Sequence, residues 1–261
     1  MASSFGSDYC YAMLLADRIS LFSSLDLGAV LFLVAGWIWI GWRIEHPNAE
    51  RPSVSNLMAG FRRDWMHQMV TRQPRVFDAQ LLGNLRQGAA FFASTSMIAI
   101  GGGLALIGNT ERLAGIAGDL ALESAPAFVW EVKVLVILLF LANAFLKFVW
   151  AHRLFGYCSV IMASVPNDPE AEMAYPRAAQ AADLSITAAR SFNRALRSIY
   201  FGLAAAAWLL GPIALVLTSM LTLGVLYRRE FASNSLEILL RIPPDSQGLP
   251  ADVSAAGKPI E

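Results

Sequence analysis

The stretch "IYFGLAAAAWLLGPIALVLTSMLTLGVLY", residues 199–227, decides how often the chain crosses a membrane. It is apolar throughout, with one break near its middle, Gly211-Pro212. A spanning helix needs about 20 apolar residues, and neither side of the break reaches that length alone. The stretch therefore reads as a single crossing. Pro212 removes a backbone donor and crowds the turn before it, so a kink is expected there.

Three other stretches read as crossings: roughly Asp26–Trp42, Gly88–Gly108 and Phe128–Trp150. The expected fold class is an all-α membrane protein with four transmembrane helices and amphipathic cytoplasmic helices. Composition agrees. The 261 residues are 56% hydrophobic and 15% charged, with mean hydropathy +0.50, where a soluble domain is about 25% charged. The apolar residues come in blocks, as in a multi-pass membrane protein. A net charge of zero implies no bulk electrostatic partner. Cys10 and Cys158 make no metal-type pair and no disulfide framework.

The membrane domain is placed at residues 25–242. Residues 1–24 lack a basic leader and carry Asp8, Asp17 and Arg18, so they read as a retained segment rather than a signal peptide. Residues 243–261, rich in Pro, Gly and small polar residues, read as a disordered tail.

Lys and Arg set the orientation. The connections 43–87 and 151–198 hold twelve arginines outside the crossings, and the other side holds six basic residues, Arg228 and Arg229 among them. Both connections are therefore expected in the cytoplasm of a bacterial inner membrane, with both termini periplasmic.

These connections have helical patterning. In "SVSNLMAGFRRDWMHQMV", residues 53–70, Val54, Leu57, Met58, Phe61, Trp65 and Met69 recur at helical spacing. Ser53 is placed to cap the first turn. The helix is expected to lie at the interface, apolar side in the lipid and basic side toward headgroups. Gln73-Pro74 ends it, and Asp78 is placed to cap the next helix. In the second connection Pro169 or Pro176 suits a first helical position. Arg177, Gln180, Asp183, Thr187, Arg190, Arg194 and Arg197 then form one polar stripe on a helix running into the fourth crossing. Arg62, Arg63, Trp65, Arg190 and Arg194 are the candidate lipid-headgroup contacts.

The third crossing carries Glu131, Lys133, Asn143 and Lys147. Glu131 and Lys147 are about 24 Å apart along a helix, close to the two boundaries of the hydrocarbon core, so Lys133 and Lys147 can snorkel. Asn143 lies deeper. It shares one stripe with Lys133, Val136, Phe140 and Lys147, and that stripe should face the bundle, since lipid would leave the amide unsatisfied. In the second crossing Ser94, Ile98, Gly101, Ala105 and Gly108 share a face of small residues suited to close packing. Gly101-Gly102-Gly103 is also a place where the helix could break. Asn143, Lys133, Lys147 and Ser94 form the candidate polar intramembrane site. His46, His67 and His152 lack metal-ligand spacing, though His67 and His152 share a side.

"WRIEHP" at 42–47, "RRDWM" at 62–66, "LLGNLRQGAAFF" at 81–92 and "YRREFASNSL" at 227–236 resemble a bacterial integral-membrane family catalogued as domain of unknown function 599. The likeness covers about residues 25–240. It implies the membrane topology and brings no activity, cofactor or catalytic residue. No catalytic, metal, cofactor or nucleic-acid pattern stands out. The expected function is therefore a non-enzymatic scaffold or accessory subunit contacting anionic lipid, partnered by the bilayer and by a second copy or another membrane protein. The alternative is a small-solute transporter or channel with a polar site between the second and third crossings.

Overall fold

The computed structural model describes residues 20–48, 51–109 and 126–241, together with Gly115. The expectations for residues 1–19 and 242–261 lie outside the described residues. Seven α-helices are described: α1 (Ser24–Glu45), α2 (Val54–Met69), α3 (Val76–Ile107), α4 (Ala127–Ala163), α5 (Ala174–Ala206), α6 (Pro212–Phe231) and α7 (Asn234–Leu240). Among the described residues there is no strand. Three of the described helices, α1, α3 and α4, are long and apolar enough to cross a membrane.

Helices α4 and α5 form the central antiparallel pair. Cys158 meets Ala181, Lys147 meets Ser191, Asn143 meets Ser198 and Phe140 meets Phe201, one number falling as the other rises. Alanines at 174, 178, 181, 182, 188 and 195 are buried along α5 and let its backbone come close. Helix α3 packs antiparallel on α4, through Phe92 against Phe148 and Arg86 beside His152. Helix α1 packs on α6, and α2 on α5.

The stretch at 199–227 is not one kinked helix. Helix α5 ends at Ala206, a 3-10 turn covers Ala207–Leu210, and α6 starts at Pro212. Gly211 sits at φ 119°, which only glycine adopts without strain, and Pro212 opens the new helix at a position where its missing N–H costs nothing. The chain turns back on itself. The Thr218 hydroxyl donates to the Ala204 carbonyl at 3.1 Å, and Arg229 donates to the Tyr200 hydroxyl at 2.7 Å. A continuous helix would hold Tyr200 and Arg229 about 43 Å apart. Helix α5 does not begin at Ile199. It arrives already formed from Ala174, so its apolar end need not stand alone.

The reversal moves the chain's later residues. Glu230 accepts hydrogen bonds from Ser55, so α6 ends beside the start of α2, at the Arg-rich end of the bundle. Asp26 and Trp208 mark the other end. Asp26 and Glu230 therefore lie at opposite ends of the bundle, and the expectation that both termini are periplasmic falls on residues outside the described ones.

Helix α2 also departs from its expected setting. Ala59, Met66 and Met69 are buried, with Met66 and Met69 in a cluster formed with Leu82, Phe155 and Cys158. Of the expected apolar face, Met69 is thus covered by protein, Val54, Leu57 and Trp65 are half-buried, and Met58 and Phe61 stay exposed. Ser53 caps α2 by accepting from the Asn56 amide and also donates to the Ile44 carbonyl at the end of α1. Asp78 makes no helix cap. It lies buried in the first turn of α3 and accepts from Trp65 at 2.8 Å and from Arg72, clasping α2 to α3. Pro176 falls inside the first turn of α5 rather than at its first position.

Candidate functional site

The candidate intramembrane residues are not gathered into one site. Asn143 donates to the Ser198 hydroxyl at 2.6 Å, so its stripe does face α5. Lys133 is buried near the Trp208 end, its Nζ 4.7 Å from the Trp130 ring centre and 5.7 Å from that of Trp208. Lys147 is half-buried, and its backbone carbonyl accepts from Ser191. Ser94 is exposed, as are Ile98, Gly101 and Ala105. The face of α3 turned to the bundle carries Leu82, Ala89, Ala93 and Ser96 instead. Helix α3 is unbroken through its three glycines, and Gly103 is the one in close contact: a Cβ there would lie 2.4 Å from Leu138 Cδ2.

At the Trp208 end the indole Nε1 donates to Asp26 at 2.7 Å, and Phe22 packs on both Trp208 and Phe128. Among the described residues, aromatic rings thus surround Asp26 and Lys133 here.

The Arg-rich end is built differently. Glu45, at the last turn of α1, receives Arg194 through both of its oxygens and Arg197 at 2.6 Å. Arg197 is buried. Beside this pair two cavities open. The smaller, about 220 Å³, lies between Arg197, Tyr200, Glu230 and Ser233. The larger, about 430 Å³, is a cleft between α2 and α3 with a floor from α4 and α5. Its rim carries Arg62 from α2, Arg190 from α5 and Arg229 from α6, with Glu230 as the one acid, and its floor includes Phe155 and Ile186. Three arginines thus face one carboxylate, which is already held by the Ser55 amide at 3.1 Å and hydroxyl at 2.9 Å.

Arg62 gives one N–H to the buried Ser185 hydroxyl at 2.8 Å. Burial pushes its guanidinium below the ordinary arginine value, yet arginine stays charged throughout the physiological range. Of the five candidate headgroup contacts, Trp65 and Arg194 are engaged within the protein, with Asp78 and Glu45. Arg63 is exposed away from the cleft lining, whereas Arg62 and Arg190 line it. Sequence reasoning missed Arg229, Glu230 and Ser55. Ser55 and Glu230 are 175 residues apart, and only the α5–α6 reversal joins them.

His67 stacks on Tyr175 and His152 accepts from Arg86, so the two histidines have separate neighbours. Among the described residues no three His, Cys, Asp or Glu side chains are grouped to hold a metal ion.

Apolar helices long enough to span a bilayer, packed into an all-helical bundle with one arginine-lined end, define the class as a helical membrane protein. The model of the family described as "Protein of unknown function, DUF599" matches residues 28–235, and the chain belongs to that family. No curated protein and no solved structure matches it.

Proposed function

We propose that the protein is a non-enzymatic, multi-pass scaffold of a bacterial inner membrane, with its Arg-rich end in the cytoplasm against the anionic leaflet. It crosses the bilayer five times, because the α5–α6 reversal makes two crossings of the expected fourth. Helix α6, with 20 residues, is about 30 Å long, which matches the hydrocarbon core. The reversal also brings Arg228, Arg229 and Arg241 to the side of the two Arg-rich connections, which strengthens the bias that orients membrane proteins. Exposed Trp39, Trp42, Trp150 and Tyr227 stand near the same end, as in an aromatic belt at a membrane boundary.

One observation carries the scaffold reading over transport. The polar side chains inside the bundle have partners within it, and neither Asn143 nor Lys133 lines either cavity. A solute path would need a wet cavity at that depth.

Single cysteines test both parts, with Cys10 and Cys158 replaced by alanine. Gln73→Cys, Asp168→Cys and Ser235→Cys should react with a charged, impermeant thiol reagent in inverted vesicles and stay unlabelled in intact cells. Labelling in intact cells would overturn the orientation. Asn143→Cys should stay unreactive in both preparations; reaction with the charged reagent would replace the scaffold with a transport path.

A further inference from the structure

We propose that the cleft between α2 and α3 is a binding site for one anionic phospholipid, its phosphate held by Arg62, Arg190 and Arg229. This rests on the reading that the Arg-rich end faces the anionic leaflet, and it names the ligand of that end.

The position of the cleft comes first. On α3 the lining residues Asn84 and Gly88 lie beside exposed Arg86 and Gln87, with exposed Val76, Phe77 and Leu81 before them and Phe91, Met97 and Ile98 after. On α6 the lining residues Arg229 and Glu230 follow exposed Leu217, Leu221 and Val225. Helix α6 thus places the cleft at its own transition from apolar to polar surface, and α3 sets exposed Arg86 and Gln87 beside it. That is where a phosphate sits above its acyl chains.

The cleft also has two chemistries. Its rim offers three guanidinium groups, and guanidinium is the donor best matched to phosphate oxygens. Arg62 has five N–H donors, of which Ser185 uses one. Glu230 adds one negative charge, which the three guanidinium groups outweigh, and Ser55 fixes it in place with two hydrogen bonds. The floor, with Phe155 and Ile186, is apolar, and Met58 and Leu85 add apolar walls. A free phosphate has no use for that floor, whereas the glycerol and first methylenes of a lipid do. The volume of about 430 Å³ falls within the usual range for small-ligand sites.

Other features of the bundle carry less. The Lys133–Asp26–Trp208 group is surrounded by its own aromatic rings, and Cys158 is a lone buried thiol. The smaller cavity shares Arg229 and Glu230 with the cleft.

The test uses the full-length protein in a neutral detergent, titrated with short-chain phosphatidylglycerol and followed by native mass spectrometry. One lipid should bind at saturation, and phosphatidylcholine of the same chain length should bind far more weakly. Arg62→Gln, Arg190→Gln and Arg229→Gln should each weaken phosphatidylglycerol binding about fivefold, given the usual worth of one basic residue beside an anionic lipid. Arg63→Gln, on the same helix but outside the cleft, should leave it unchanged. Circular dichroism of each variant confirms that the bundle is intact. Arg229→Lys, which keeps the charge, should recover part of the affinity if Arg229→Gln disturbs Tyr200. Inorganic phosphate at millimolar concentration should not displace the lipid. Displacement by phosphate would show a simple anion site, and an equal loss in Arg63→Gln would show diffuse attraction to a basic surface; either overturns the proposal. Unchanged affinity in the three cleft variants, with cysteine labelling still placing this end in the cytoplasm, would remove the lipid site and leave the scaffold standing. Labelling from outside would instead remove the scaffold orientation, whatever the lipid result.

Discussion

At one end of the bundle Trp208 donates to Asp26 beside Lys133, and Phe22 packs on the Trp208 ring. At the other, Arg194 and Arg197 converge on Glu45 beside two open cavities. Both ends join the first helix to helix α5 or its terminal turn through an acid on α1. The Trp208 end does so with a neutral donor, and the Arg-rich end with cations in excess of acids. A neutral donor leaves nothing over once its hydrogen bond is made. Surplus guanidinium groups leave both charge and N–H donors for something outside the chain. That difference is why the ligand proposed above is placed at the Arg-rich end.

The largest expected effect tests the charged end. Glu45→Gln keeps the shape and removes the charge opposite buried Arg197. Stranding one member of a buried ion pair costs about 3 kcal/mol, read by titrating the reconstituted protein with sodium dodecyl sulfate and following helicity. Glu45→Gln with Arg197→Met should recover much of that loss. Next comes the reversal that brings α6 to this end. Gly211→Val forces a branched side chain to φ 119° and should cost about 2 kcal/mol, measured in the same titration. At the Trp208 end, Trp208→Phe removes one neutral donor to Asp26 and keeps most of the ring, for about 1 kcal/mol. If it cost as much as Glu45→Gln, the contrast between the ends would be wrong. The smallest effect lies between them. Asn143→Leu gives up one interhelical hydrogen bond and should cost about 0.6 kcal/mol. A greater loss than for Trp208→Phe would mean that the middle of the bundle, not its ends, holds the polar interactions that matter.

Much of this architecture is legible in the sequence. The helical patterning of the 53–70 and 177–197 sections, the Ser53 cap, and the bundle-facing stripe of Phe140 and Asn143 all follow from residue spacing. What spacing does not tell is which material covers an apolar face. Helix α2 has the pattern of an interfacial helix, but Met66 and Met69 face Leu82 and Phe155 instead of acyl chains. Helix α3 is apolar or small on nearly every side, so nothing in its pattern distinguishes the Ser94 face from the Ala89 face. The reversal at 211 left a signal that the length rule overrode: Gly then Pro, a helix stop followed by a helix start, and basic Arg228-Arg229 after it. The cleft was the least legible part. Its lining comes from α2, α3, α4, α5 and α6, and no local pattern records their convergence.

The Glu45–Arg194 pair spans 149 residues of chain. Ribosomes add residues at about 5–20 per second, so Glu45 is made about 7–30 s before its partner arginine exists. Through that interval Glu45 has no cation from α5. Its place in the last turn of α1, at the edge of the apolar segment rather than within it, lets water hydrate the carboxylate while the rest of the chain is made. The ion pair can therefore be assembled late without an acid ever being stranded in lipid, and the order of synthesis becomes a reason for where this residue stands.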